Sequence, residues 1–250
     1  MKERILQTLK EIEEENNVRI LLAVESGSRA WGFASPDSDY DVRFIYVREK
    51  EDYLKLEEVR DVIELPIDDM LDINGWDLKK TLRLLYKSNP TLFEWFSSPI
   101  IYTKTPFADR FCKIMTEYFS QTKSLYHYMC MAQRNYREFL TGETVKIKKY
   151  FYVLRPVLVC RWVLNRNTPA PMRFSELAEA ELPAELFDEV RRLLKLKTEF
   201  PEIKEIKRID VINELLEEQI GEIKEILRGM PDERNRNTDE LNELFLSELL

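Results

Sequence analysis

Residues 21–47 read LLAVESGSRAWGFASPDSDYDVRFIYV. Two apolar runs flank a Gly-Ser step, a second glycine and a Ser-Asp-Tyr-Asp turn, so the stretch must fold as two strands joined by a built loop. A tight hairpin needs only a two-residue turn. This chain has six glycines in 250 residues, and Gly27 and Gly32 both fall in this loop. Gly27 lets the backbone turn sharply and approach a ligand closely. Asp39 and Asp41 are two apart at the mouth of the second strand, and on extended backbone they face the same way. Two carboxylates on one face repel without a cation between them, and their hard oxygens suit Mg²⁺ above all. Ser28 and the N–H groups that open the next turn can hold phosphate oxygens. A Ser-Asp-x-Asp turn alone is common punctuation. Placed in order after one strand and before another, Gly-Ser and Ser-Asp-x-Asp form the equipment of two-metal phosphoryl or nucleotidyl transfer.

The surrounding chain supplies a mixed fold. Ile5, Leu6, Leu9 and Ile12 recur at helical spacing, predicting an amphipathic helix over 2–15 that Asn16 and Asn17 end. Strands are expected over 18–24, 42–47, 59–65 and 70–75. The last runs into a helix through DLKKTLRLLYK, and NPTLFEWFSSPIIY then gives a Pro-started helix, a break and a short extended stretch. Beyond about residue 105 strand signals vanish. Helical patterns cover 106–120, 124–140, 145–166, 183–199 and 209–228, with a last short helix at NELFLSELL. The expected architecture is α+β over 1–105, a short mixed sheet with flanking helices, followed by an all-α domain over 106–250.

Charge limits the partners. The net charge is -8, so this is not a protein that coats nucleic acid through bulk electrostatics, and an anion must be gripped locally. Cys112, Cys130 and Cys160 show no CxxC pair and are expected to sit reduced in helices, as in a cytoplasmic protein. No signal-peptide core opens the chain and no apolar run approaches the ~20 residues of a membrane span. No stable protein partner is readable.

The words GSRAWGFASPDSDYD resemble the signature of the DNA polymerase β-type nucleotidyltransferase superfamily. The narrower pattern GSRAWGF-x-S-x-x-SDYDVR, then WDLKK (76–80) and SNPTLFEW (88–95), resembles the RlaP/YcgL-like predicted nucleotidyltransferases, an RNA repair pathway branch. The likeness is strong to about Tyr102 and thinner beyond, centred on KKYFYVLRP (148–156). It implies a polymerase β-like catalytic domain that moves NMP from an NTP to an acceptor hydroxyl and releases pyrophosphate. Mg²⁺ or Mn²⁺ would be the cofactor and an RNA end the acceptor. Gly27 and Ser28 would meet phosphates, and Asp39 and Asp41 would ligate metal; Arg29, next to Ser28, is within reach of a phosphate, with a plain surface arginine as the alternative. Transfer to a small molecule or protein side chain stands as an alternative, as does a non-catalytic regulatory or antitoxin-like nucleotide binder. A serine hydrolase is disfavoured, because GxSxG is absent and His127 is the only histidine.

The superfamily uses a third acid on a later strand. Glu64, Asp68, Asp69, Asp72 and Asp77 are the candidates by position; Asp77 has a sufficient explanation as a helix cap. The RlaP-like pattern implies Asp72, with Asp77 next. In the helical half, Lys149, Tyr152 and Arg155 fall at i, i+3 and i+6. The resemblance implies that Lys149 reaches a triphosphate and Tyr152 stacks near a base. The alternative is a helix with a snorkelling basic edge. Glu94 is read as architectural.

Overall fold

The structure is a computed structural model and describes residues 1–66, 70–199 and 205–249. The described residues group into two compact units. The first draws on Met1–Ala30, Asp39–Phe119 and Arg234–Leu250; the second on Trp31–Ser38 and Ser120–Glu233.

In the first unit, helix α1 (Lys2–Asn16) ends at Asn17, which adopts a left-handed conformation with φ 49°. Strand β1 (Val18–Glu25) follows, then the short helix α2 (Gly27–Trp31) and strand β2 (Tyr40–Arg48). Helix α3 (Lys50–Tyr53) leads to β3 (Val62–Glu64) and β4 (Leu71–Asp77). Next come α4 (Leu78–Tyr86), α5 (Pro90–Phe96), β5 (Ile101–Lys104) and α6 (Pro106–Met115). The five strands lie in the order β3-β4-β2-β1-β5. Only β2 and β4 run parallel, with Asp41 beside Asp72 and Phe44 beside Gly75; the other pairs are antiparallel.

Alternation along β2 divides the core. Val42, Phe44 and Tyr46 pack on the side of Ile5, Leu9 and Ile12 of α1. Ile45 and Val47 join the opposite cluster with Leu78, Leu82 and Leu85 of α4, Leu92, Phe93 and Trp95 of α5, and Phe107 and Phe111 of α6. A sheet covered on both faces explains why β1 reads as nearly continuous apolar sequence. The capping signals behave as their chemistry requires: Asp77 accepts from the Lys79 N–H at 2.7 Å, and Asn89 accepts from Thr91 at 3.0 Å ahead of Pro90.

In the second unit, α7 (Gln121–Phe139) and α8 (Ile147–Arg166) are the long helices, and α8 runs through Pro156. They are joined by α9 (Phe174–Glu181), α10 (Phe187–Glu199) and α11 (Asp210–Leu227). The expectation that strands end near 105 needs correction: β6 (Thr144–Lys146) pairs antiparallel with β7 (Glu205–Lys207). Each has three residues, too few for a period-2 signal to rise above its flanks. Helix α9 also escaped the sequence reading. The three cysteines are free and helical, on α6, α7 and α8.

The boundary expected near 105 falls inside the first unit. Helix α6 packs under the sheet through Phe107 and Phe111, and the last helix, α12 (Asp239–Glu248), adds Leu241 and Leu244 to the same cluster. Buried Glu248 holds Arg19 of β1 at 3.2 Å and also pairs with Arg110 of α6. Among the described residues no helix is long and apolar enough to cross a membrane.

A Cβ placed on Gly75 would stand 2.2 Å from Phe44 Cε2, and Phe44 is walled in. Gly75→Ala is therefore expected to lower stability by about 1–3 kcal/mol. Gly221→Ala, on α11 with nothing within 4 Å of the new methyl, should gain about 0.5–1 kcal/mol. Thermal unfolding of the two variants checks both signs.

Candidate functional site

The parallel pairing of β2 with β4 builds the site. It sets Asp41 and Asp72 in register on neighbouring strands, whose backbones lie ~4.8 Å apart. Two carboxylates about 5 Å apart repel by about 3 kcal/mol at an effective dielectric near 20, so a cation is needed between them. Arg43 provides one. Its Nη2 donates to Asp41 Oδ1 at 3.1 Å and to Asp72 Oδ2 at 2.7 Å, and its Nη1 donates to the Asp72 carbonyl at 3.0 Å. Alternation explains this placement, because Asp41 and Arg43 are two apart on one strand.

Asp41 is fixed on every side. Its N–H donates to Glu25 Oε1 at 2.8 Å, and its carbonyl accepts from the Ser26 N–H at 2.8 Å. Its carboxylate lies against Gly27, where φ is +57° and an added Cβ would sit 2.0 Å from Asp41 Oδ2. Gly27 thus serves two needs: a left-handed turn and the room for that carboxylate. Glu25 is fully buried, and Tyr102 donates to its Oε2. Burial raises the Glu25 carboxyl above its ordinary value, while the bonds from Tyr102 and the Asp41 N–H lower it.

Asp39 differs from the expectation in one respect. Strand β2 begins at Tyr40, so Asp39 stands exposed one residue before the pleat. Strand alternation therefore aligns Asp41 with Arg43 and does not constrain Asp39. Arg29 donates from Nε to the Asp39 carbonyl at 3.0 Å and lies over the Tyr40 ring at 3.6 Å. Ser28 is half-buried at the start of α2. Among the described residues no group of three or more His, Cys, Asp or Glu side chains is arranged to hold a metal ion. The donor chemistry of Asp41 and Asp72, two side-by-side carboxylates, fits a hard divalent cation. Each of them is also bound by Arg43.

The other acids separate. Asp77 lies at the opposite end of β4 from Asp72, is 4% exposed, and accepts from Tyr53 at 2.8 Å while capping α4. Glu64 binds Asn74 at 2.8 Å and Arg60 at 2.5 Å. Asp68 and Asp69 lie outside the described residues. In the second unit, Lys149 lies 4.9 Å from the Tyr152 ring centre and 3.5 Å from that of Phe139. Tyr152 and Trp31 meet edge to face with centroids 6.4 Å apart. Arg155, expected beside them, is buried: it lies 4.7 Å over Trp31, and its Nη2 reaches Met172 Sδ at 3.6 Å. His127 is half-buried against Tyr128.

Sequence reasoning missed Arg43, Glu25 and Tyr102. Arg43 carried a signal, since it stands two residues past Asp41 on the same strand. Tyr102 carried none, because only the β1–β5 pairing brings it to Glu25.

A family model described as "RlaP: RNA repair pathway DNA polymerase beta family" matches residues 1–247. The chain is 51% identical over 253 residues to the "Uncharacterized protein YcgL" of Bacillus subtilis (strain 168), covering 99% of this chain and 96% of that protein. A solved nucleotidyltransferase-like protein from Exiguobacterium sibiricum 255-15 aligns over 98% of this chain and 89% of its own, at 15% identity and a TM-score of 0.34.

Two outcomes test the site's construction. Gly27→Ala, strained at positive φ and pressed on Asp41, should lose more than about 1 kcal/mol in thermal unfolding. The second concerns pH. Burial raises the Asp77 carboxyl above its ordinary value despite the hydrogen bonds that lower it. An acid with a raised folded-state pKa stabilises fully below its unfolded pKa, and the contribution fades as pH rises through the folded one. Wild type should therefore lose stability relative to Asp77→Asn as pH climbs from about 4. Parallel pH profiles in denaturant titrations would contradict this.

Proposed function

Because the chain belongs to the RlaP family, an RNA repair pathway DNA polymerase beta family, we propose that it moves NMP from an NTP to an acceptor hydroxyl and releases pyrophosphate. The observation that carries this reading is the register match of Asp41 with Asp72 beside the Gly27 turn. Such an arrangement suits charge stabilisation at a phosphoryl centre better than it suits a structural role, since a fold gains little by setting two acids side by side.

In this reading Asp41 and Asp72 hold a divalent ion, with Asp39 joining from the mouth of β2. Mg²⁺ or Mn²⁺ bound there supplies charge neutralisation at the triphosphate and lowers the pKa of the acceptor hydroxyl. The chain's own groups do the rest. The Gly27 turn, Ser28 and Arg29 take phosphate oxygens, and Asp72 accepts the hydroxyl proton. Arg43 balances the two acids while the ion is away. Lys149 and Tyr152 serve the triphosphate and the base. The acceptor we favour is an RNA end, in line with the family's description, and the setting is cytoplasmic.

A second reading, a nucleotide-binding regulator without turnover, draws on Arg43, which already neutralises both carboxylates.

One experiment separates them. The protein is incubated with each α-labelled NTP, Mg²⁺ or Mn²⁺, and RNA, tRNA, small-molecule or protein acceptors. Label should move to an RNA end, and Asp41→Asn or Asp72→Asn should cut the rate by at least ~10²-fold, the scale of a lost charge-stabilising group. Absence of transfer in every combination sinks the enzymatic reading. Metal-dependent NTP binding that survives Asp39→Ala with Asp41→Ala supports the regulator.

A further inference from the structure

Residues Trp31–Ser38 connect α2 to Asp39, yet they pack within the second unit. Phe33 is buried against Phe151 at 4.9 Å and Phe174 at 5.6 Å. Ser35-Pro36-Asp37-Ser38 then forms a closed β-turn. The Ser38 N–H donates to the Ser35 carbonyl at 3.0 Å, and the Ser35 N–H donates to Ser38 Oγ at 3.0 Å. The two hydroxyl oxygens lie 2.9 Å apart, and the serines are only 2% and 1% exposed.

Lys197, near the end of α10, reaches this turn. It is 3% exposed, and its Nζ donates to Ser35 Oγ at 2.9 Å. Lysines are almost never buried to this degree unless paired, because an ammonium loses its hydration there. Lysine has three donors and no acceptor. Ser35 Oγ therefore receives from the lysine, and either hydroxyl can donate across the Ser35–Ser38 contact. A charged donor at the head of such a chain strengthens the links after it. The residue bonded to the end of that chain is Asp39.

We infer that Lys197 is a positioning residue: it holds the Ser35–Ser38 turn and so steadies the peptide bond by which Ser38 leads into Asp39. This rests on the proposed role of Asp39 and extends it, since a residue 162 positions from Ser35 then limits the freedom of the backbone that enters Asp39. Alternation along β2 does not orient Asp39; Arg29 holds its carbonyl, and the lysine-clamped turn holds the chain just ahead of it.

The test uses the full chain carrying Lys197→Met, Lys197→Arg or Ser35→Ala. Amide hydrogen exchange is followed in peptides spanning 31–40, with peptides from β1 and α7 as internal references. Lys197→Met should speed exchange at 35–40 by about tenfold or more while the references hold. In label transfer it should raise the Mg²⁺ needed for half-maximal rate and lower kcat more than it raises KM for NTP. Ser35→Ala should reproduce the effect, and Lys197→Arg should restore part of it. Unchanged exchange at 35–40 in Lys197→Met overturns the inference, and so does a rise spread evenly over the second unit. If Lys197→Met fails to fold, Ser35→Ala decides by the same two readouts. If wild type transfers no label, the proposed function falls, while the exchange result still decides the role of Lys197.

Discussion

Everything at the candidate site depends on one strand pairing, the parallel contact of β2 with β4. Without it Asp41 and Asp72 would be 31 positions apart with no reason to meet. With it they stand side by side, and Arg43 becomes necessary. A parallel pair cannot be closed by a short turn and needs a long crossover; here the chain leaves β2, passes through α3 and β3, and returns. The intervening segment also delivers Asp61 to Lys80 at 2.9 Å, so the crossover is tied to the helix that follows β4.

Arg43 and the glycine at 27 act on the same carboxylate from different directions. The arginine draws one oxygen of Asp41 toward Asp72, while the other lies over a backbone with no side chain. Glu25 and Ser26 hold the Asp41 peptide from behind. A side chain so confined loses little further freedom when it meets a ligand, which is the meaning of preorganisation in a charge-stabilising site. The arginine's hold is modest, since all three side chains remain partly exposed and solvent screens such pairs.

Local signals carried much of the reading. The apolar runs of β1 and β2, the Asn89-Pro90 helix start and the Asp77 cap are written in neighbouring residues, and each was legible. Asp72 was reached only through family resemblance, because nothing in LDIN marks one acid over Glu64 or Asp77. Its partnership with Asp41 depends on register, which is a property of the assembled sheet. Tyr102, Lys197 and Glu248 were invisible for the same reason: each meets a partner far along the chain. The start of β2 at Tyr40 also mattered, since the period-2 argument reaches only as far as the pleat does.

The last helix has a consequence for how the molecule is made. Leu241 and Leu244 of α12 complete the cover on one face of the sheet, and Glu248 gathers Arg19 and Arg110. Those residues leave the ribosome after the whole of the second unit, although they belong with the first. The acid-bearing sheet is therefore translated before the second unit and covered by α12 only after it. Until then its apolar underside stays open, and transiently exposed apolar surface of this kind is prone to aggregate.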